Sequence, residues 1–172
     1  ENKGCGGVAR VAPIGLFGAA RIANGTEGYE LGCESASITH GHPSGYNPSG
    51  VLAEIIFELV KGSSVLESCE TAIRRITTDP HANAVVMSLN EVLKLVDEGT
   101  KSDVAIKKLG SGWISEQALA IGVYSALVAT TFSHGISIAV NHSADSHITG
   151  SITGQILGAA SGVQAIGQEW LS

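Results

Sequence analysis

Aromatic residues are scarce in this sequence, at 5% of 172 residues. Ala, Ile, Val and Leu must therefore fill the interior, as they do between closely packed helices. Charged residues are also few, at 15%, and the mean hydropathy is +0.23. That value is high for a soluble domain and leaves apolar surface to face another piece of polypeptide. The 10 basic residues are outnumbered by 16 acidic ones and form no block, which argues against a broad cationic surface for nucleic acid. A small phosphorylated ligand remains compatible, because backbone amides hold phosphate without many cations. Cysteine is limited to Cys5, Cys33 and Cys69, with no CxxC spacing. This pattern suits a reducing, cytoplasmic setting in which each thiol is a small buried hydrophobe. No signal peptide opens the sequence. The longest apolar stretch, about Ala118–Ala129, carries Gly122, Tyr124 and Ser125 and is too short to span a bilayer. No membrane partner is expected. Strand alternation and internal repeats are likewise missing.

What is present is helical periodicity, and the expected fold class is all-α, a compact multi-helix domain over residues 1–172. Pro13 to Ala23 reads as a first helix, after which Gly28 and Gly32 break the pattern. Cys33 to Ile38 is a short helical or extended approach to a loop running from Thr39 to Pro48. The next helix, capped by Asn47 or Ser49, carries Val51, Leu52, Ile55, Ile56, Leu59 and Val60 and ends at Gly62. Ser64 to Thr77 and Asn83 to Glu98 repeat the pattern, with stops at Asp79-Pro80 and Gly99. Lys101 to Lys108 reads as a short surface stretch. Ser115 to Thr131 is apolar on several sides and is expected to be central. Gly135 to Asn141 is apolar and His142 to Thr149 polar. Gly150 to Gly162 is a last helix of small residues.

Four clusters carry possible chemistry. Lys3-Gly4-Cys5-Gly6-Gly7 offers backbone amides to an anion, and reads equally well as a flexible turn. The loop containing His40, His42, Tyr46 and Asn47 suits stacking or ribose hydrogen bonding, or is simply exposed. Gly110-Ser111-Gly112-Trp113 leads into a helix that Ser111 or Ser115 can cap; its tryptophan walls a pocket or joins the core. In Asn141-His142-Ser143-Ala144-Asp145-Ser146-His147, Asp145 and Ser146 are oxygen donors suited to Mg²⁺ or Mn²⁺. Helix capping by Ser143, Asp145 or Ser146 accounts for the same residues.

The order of four segments resembles the ADP-ribosylglycohydrolase family, in particular its bacterial branch. They are KGCGGVARVAPIGL (3–16), THGHPSGYNPSGVLA (39–53), GSGWISEQALA (110–120) and AVNHSADSHITGSITGQILG (139–158). The resemblance implies an all-α fold, hydrolysis of the bond between ADP-ribose and a protein or small molecule, and a binuclear Mg²⁺ or Mn²⁺ centre. It places Gly4, Cys5, Gly6 and Gly7 along the diphosphate. It puts His40 and Tyr46 in a ligand-facing loop, and Gly110, Gly112 and Trp113 beside the distal end of the cleft. Asp145, Ser146 and His147 fall on the Asp-x-Asp metal motif, with His147 where the second aspartate stands and Ile148 where a hydroxyl residue follows. Ala9 replaces the family's usual Met. The sequence opens inside its glycine cluster, and the acidic N-terminal half of the family has no counterpart in it. The expectation is a C-terminal portion, completed by a separate N-terminal segment or a homo-oligomer partner. No catalytic residue is assigned. An ADP-ribose-binding or regulatory protein without catalysis is the alternative.

Overall fold

The computed structural model describes residues 2–21 and 24–171. Nine α-helices are found among these residues: α1 Ala12–Arg21, α2 Gly25–Ser37, α3 Pro43–Val60, α4 Val65–Ile76, α5 Asn83–Asp97, α6 Ser102–Leu109, α7 Ser115–Leu127, α8 Phe132–Val140 and α9 Ser146–Ser161. The expected end of the first helix at Ala23 lies outside the described residues. One continuous apolar cluster runs from Cys5 to Leu157, and α3 and α7 are buried along most of their length at its centre. Leu52, Ile55, Ile56 and Tyr124 are almost wholly enclosed. Aliphatic side chains thus fill the interior, as the shortage of aromatics requires.

Several starts and stops follow local chemistry. Ser64 and Glu67 form a reciprocal capping box at the start of α4, which satisfies two amides that the first turn leaves free. Gly62 and Gly99 end α3 and α5 with φ of 102° and 61°, a backbone region that favours glycine.

The region between residues 25 and 48 differs from expectation. Gly28 and Gly32 do not interrupt anything; they lie within α2, whose first turn is capped by the Asn24 side chain. A Cβ on Gly32 would sit 2.8 Å from Gly50 Cα and 2.9 Å from Ala53 Cβ. Glycine is there because two helix backbones nearly touch, and that packing outweighs its weak helix propensity. α3 begins at Pro43 rather than after Pro48. His42, not Asn47 or Ser49, is its cap: the ring Nδ1 accepts from Ser44 N at 3.0 Å. Pro43 suits the first turn, where an N–H is unneeded. Pro48 lies on the next turn, inside the helix.

Smaller corrections concern the C-terminal half. Lys101–Lys108 belongs to a true helix, α6. α7 ends at Leu127, four residues before the expected Thr131, and Phe132–Val140 is a helix of its own. α7 is preceded by Ile114, so neither Ser111 nor Ser115 caps it. α9 starts at Ser146, within the polar segment His142–Thr149 and four residues before the expected start at Gly150.

The expected free apolar surface is found on α1 and α2. Phe17 is 62% and Ile38 82% exposed, with Leu16 and Leu31 nearby also exposed. Phe17 and Ile38 border a groove of about 540 Å³ with Pro13, Ile14 and Leu31.

Candidate ligand site

The glycine cluster is pinned from two sides. Gly4 pairs with Ile114 in an isolated antiparallel bridge, and Ser115 N donates to Lys3 O at 3.1 Å. The Ser115 hydroxyl reaches Gly4 O at 2.7 Å and lies 3.5 Å from Gly45 O. One side chain at the start of α7 thus holds the loop against the start of α3. Space rather than backbone twist demands the glycines. A Cβ on Gly7 would lie 3.2 Å from Ala36 Cβ, Gly45 O and Ser49 Oγ. On Gly6 it would stand 3.3 Å from the edge of the His40 ring.

His40 is buried, and its ring is oriented by a relay. The Arg10 guanidinium donates to Ser35 O at 3.1 Å and to Thr39 Oγ1 at 2.7 Å. Thr39 Oγ1 lies 2.7 Å from His40 Nδ1 and 3.4 Å from Ala36 O. The Thr39 hydroxyl, with one proton to give, lies between two acceptors; donation to Nδ1 places the ring N–H on Nε2, the edge facing Gly4 and Gly6. Burial, then the Arg10 charge, lowers the His40 pKa below its ordinary value. With the proton on Nε2, His40 presents a donor edge to the loop. Arg10 was not among the residues singled out by sequence; only the folded α2 brings Ser35 and Thr39 to it.

Asp145 stands at the N-cap of α9, yet its side chain caps nothing. Its backbone starts the helix, with Asp145 O accepting from Ile148 N at 3.1 Å and Thr149 N at 3.2 Å. The carboxylate turns away, and Oδ2 accepts from the Cys5 thiol at 3.7 Å. Burial, then the Asp145 charge, raises the Cys5 pKa, so the thiol stays a protonated donor. The capping explanation for Asp145 is thereby overturned. His142 is structural: Nε2 lies 2.9 Å from Thr149 Oγ1 and Nδ1 accepts from Ala144 N at 3.3 Å.

The turn through Gly110 and Gly112, with φ of 113° and 76°, completes the surface. Ser111 O accepts from Asp145 N at 3.4 Å. Trp113, 63% exposed, is not a core residue. Gln117 Oε1 accepts from Ser111 N at 3.1 Å. Tyr46 is half-buried on the first turn of α3. It lies within electrostatic range of Tyr29, whose pKa is raised by burial first, then by Cys33, with smaller contributions from Asp79 and Tyr46. Ser115 and Gln117 are the residues that sequence reasoning missed as organisers of the site, because a helix-start serine gives no sign of which loop it will bond.

The implied metal centre can be tested against these donors. Mg²⁺ requires six oxygen ligands in near-octahedral array. Asp145 supplies a carboxylate already bonded to a thiol, Ser146 is half-buried and His147 is exposed on the first turn of α9. Among the described residues no group of three His, Cys, Asp or Glu side chains is placed to hold a metal ion. The donor set of the described residues does not fit a divalent cation.

The fold and site define an all-α domain that brings a glycine loop, an imidazole and a carboxylate from three distant segments together. The family model for ADP-ribosylglycohydrolase matches residues 1–172. The chain belongs to that family, and its function is ADP-ribosylglycohydrolase-like. No curated protein matches it. No helix among the described residues is long and apolar enough to cross a membrane.

Proposed function

We propose that this chain forms the ADP-ribose-holding part of an ADP-ribosylglycohydrolase, which in its intact form hydrolyses the bond between ADP-ribose and a protein or small molecule. The observation that carries this reading is the single Ser115 side chain that ties the glycine loop to α3, a loop bordered by His40 and met by Asp145 through Cys5. In this reading the amides of Cys5, Gly6 and Gly7 lie along the diphosphate, while Gly4, whose N–H donates to Asn2 Oδ1 at 2.8 Å, shapes the loop that carries them. His40 donates from Nε2, Trp113 offers a ring face to a base, with Tyr46 beside the same loop, and Asp145 faces ribose hydroxyls. Gly110 and Gly112 give the Trp113 turn its shape. The unpaired cysteines support a reducing compartment, the cytoplasm.

A second reading, an ADP-ribose-binding protein without catalysis, is favoured by the donor set around Asp145, where His147 contributes no negative charge. Titration calorimetry with ADP-ribose, with and without Mn²⁺, tests both. Binding is expected, and His40→Ala should weaken it about tenfold, as loss of one hydrogen bond to a charged ligand does. Affinity that rises steeply with Mn²⁺ would favour the hydrolase over the binding protein. Wild-type protein that shows no heat with ADP-ribose in either condition would sink the site assignment.

A further inference from the structure

The hydrogen bonds around Thr39 decide what His40 can offer a ligand. One guanidinium nitrogen, Arg10 Nη2, donates to Ser35 O at 3.1 Å and to Thr39 Oγ1 at 2.7 Å. Arginine only donates, so the Thr39 oxygen is the acceptor in that bond and its single proton must go elsewhere. Two acceptors lie within reach, His40 Nδ1 at 2.7 Å and Ala36 O at 3.4 Å. Ala36 O already accepts from Thr39 N at 3.1 Å and from His40 N at 2.9 Å, which occupies both of its lone pairs. The hydroxyl proton therefore goes to Nδ1. The reverse arrangement, with Nδ1–H donating to Oγ1, would aim a ring hydrogen at an oxygen that already faces a cation. It would also leave the hydroxyl only the longer bond to an occupied carbonyl. A charged donor on Oγ1 polarises the hydroxyl and strengthens its own donation.

We propose that Arg10 is a positioning residue of the ligand site: acting through Thr39, it fixes the His40 proton on Nε2, so that the ring edge facing Gly4 and Gly6 is a hydrogen-bond donor to the ligand. The inference rests on the ADP-ribose reading of that surface. Burial, then the Arg10 charge, also works against a second ring proton. Arg10 is exposed, yet it ends the single helical turn Val8–Arg10 that directly follows Gly7. Gln155 on α9 holds the same turn, through Nε2 to Ala9 O at 2.8 Å. The arginine that orients the ring is thus anchored to the end of the loop that the ring borders.

The test uses the full chain with ¹⁵N-labelled histidines at about pH 8, above the ordinary histidine range. The ring ¹⁵N shifts of His40, assigned by their absence in His40→Ala, need no ligand and report which nitrogen carries the proton. Wild type is expected as the Nε2–H tautomer alone. Arg10→Met and Thr39→Val should each populate the Nδ1–H form beside it and bind ADP-ribose roughly fivefold more weakly by calorimetry. Arg10→Lys, whose ammonium can still donate to both oxygens, and Thr39→Ser, which keeps the hydroxyl, should restore the single tautomer and an affinity within about twofold of wild type. A pure Nε2–H ring in Arg10→Met overturns the proposal, and weakened binding in that case would show that the arginine acts by its charge. Mixed tautomers with wild-type affinity overturn it as well, since the relay would then be structural only. A wild-type chain that fails to bind ADP-ribose removes the ligand reading and this inference with it. A binding wild type whose ring is Nδ1–H removes this inference alone.

Discussion

Arg75→Met is expected to cost about 3–5 kcal/mol of folding stability, the cost of leaving a buried charge without its partner. Glu54 is completely buried on α3. Arg75 Nε on α4 meets its Oε1 at 2.5 Å, with 29% of the arginine side chain exposed. The same guanidinium donates to Thr26 on α2, so one side chain ties three helices. Oε2 of Glu54 has no hydrogen-bond partner among the described residues, and removing Arg75 leaves Oε1 without its charge partner as well. For a chain of this length the melting temperature should fall by roughly 10 °C.

The pH dependence of that loss has a definite sign. Burial raises the Glu54 pKa, Arg75 opposes it, and Glu58 adds to it. A carboxyl group whose folded pKa is raised contributes stability below its unfolded pKa and loses it as pH rises through the folded value. Removing Arg75 raises the folded pKa further. The variant should therefore lose most at about pH 8 and noticeably less at about pH 5, where Glu54 takes up a proton. Thermal unfolding at the two pH values checks this. An equal loss at both would show that Glu54 is not the group left stranded. The double variant Glu54→Leu, Arg75→Met should recover much of the stability, since an apolar pair of similar volume avoids the desolvation of two charges.

The second large effect is expected at Gly50. A Cβ there would lie 2.4 Å from Cys33 Sγ, 2.6 Å from Tyr29 O and 2.7 Å from Tyr29 Cδ2. A backbone carbonyl cannot step aside alone, so Gly50→Ala must push α2 from α3. The cost should reach the upper end for overpacking, about 3 kcal/mol. It should also weaken ADP-ribose binding, because α2 leads into Thr39 and His40 while α3 carries Ser44 and Gly45. The contrast is Gly158→Ala on α9, where a Cβ meets nothing within 4 Å. That substitution should stabilise the protein by about 0.5–1 kcal/mol through reduced freedom of the unfolded chain. Denaturant unfolding of both variants reads the difference directly. A destabilised Gly158→Ala, or a neutral Gly50→Ala, would contradict the packing described.

The sequence by itself determined the all-α class, the central place of the helix after Ser115, and the spans of α4 and α5 to within a few residues. Those features depend on periodic apolar residues, on Ser64 with Glu67, and on stops at Gly62 and Gly99, all of which act over one or two turns of chain. Tertiary structure alone decided α2. Gly28 and Gly32 carry a local signal for breaking a helix; only contact with Gly50 and Ala53 on α3 shows why glycine is required at Gly32, while a Cβ on Gly28 would meet nothing within 4 Å. Tertiary structure also decided what Asp145 does. Capping and ligand contact ask for the same side chain at the same local position, and the bond that separates them comes from Cys5, 140 residues away. Glu54 went unread for the same reason. Its partner, Arg75, lies on another helix, and no short-range pattern encodes which charge will be buried against which.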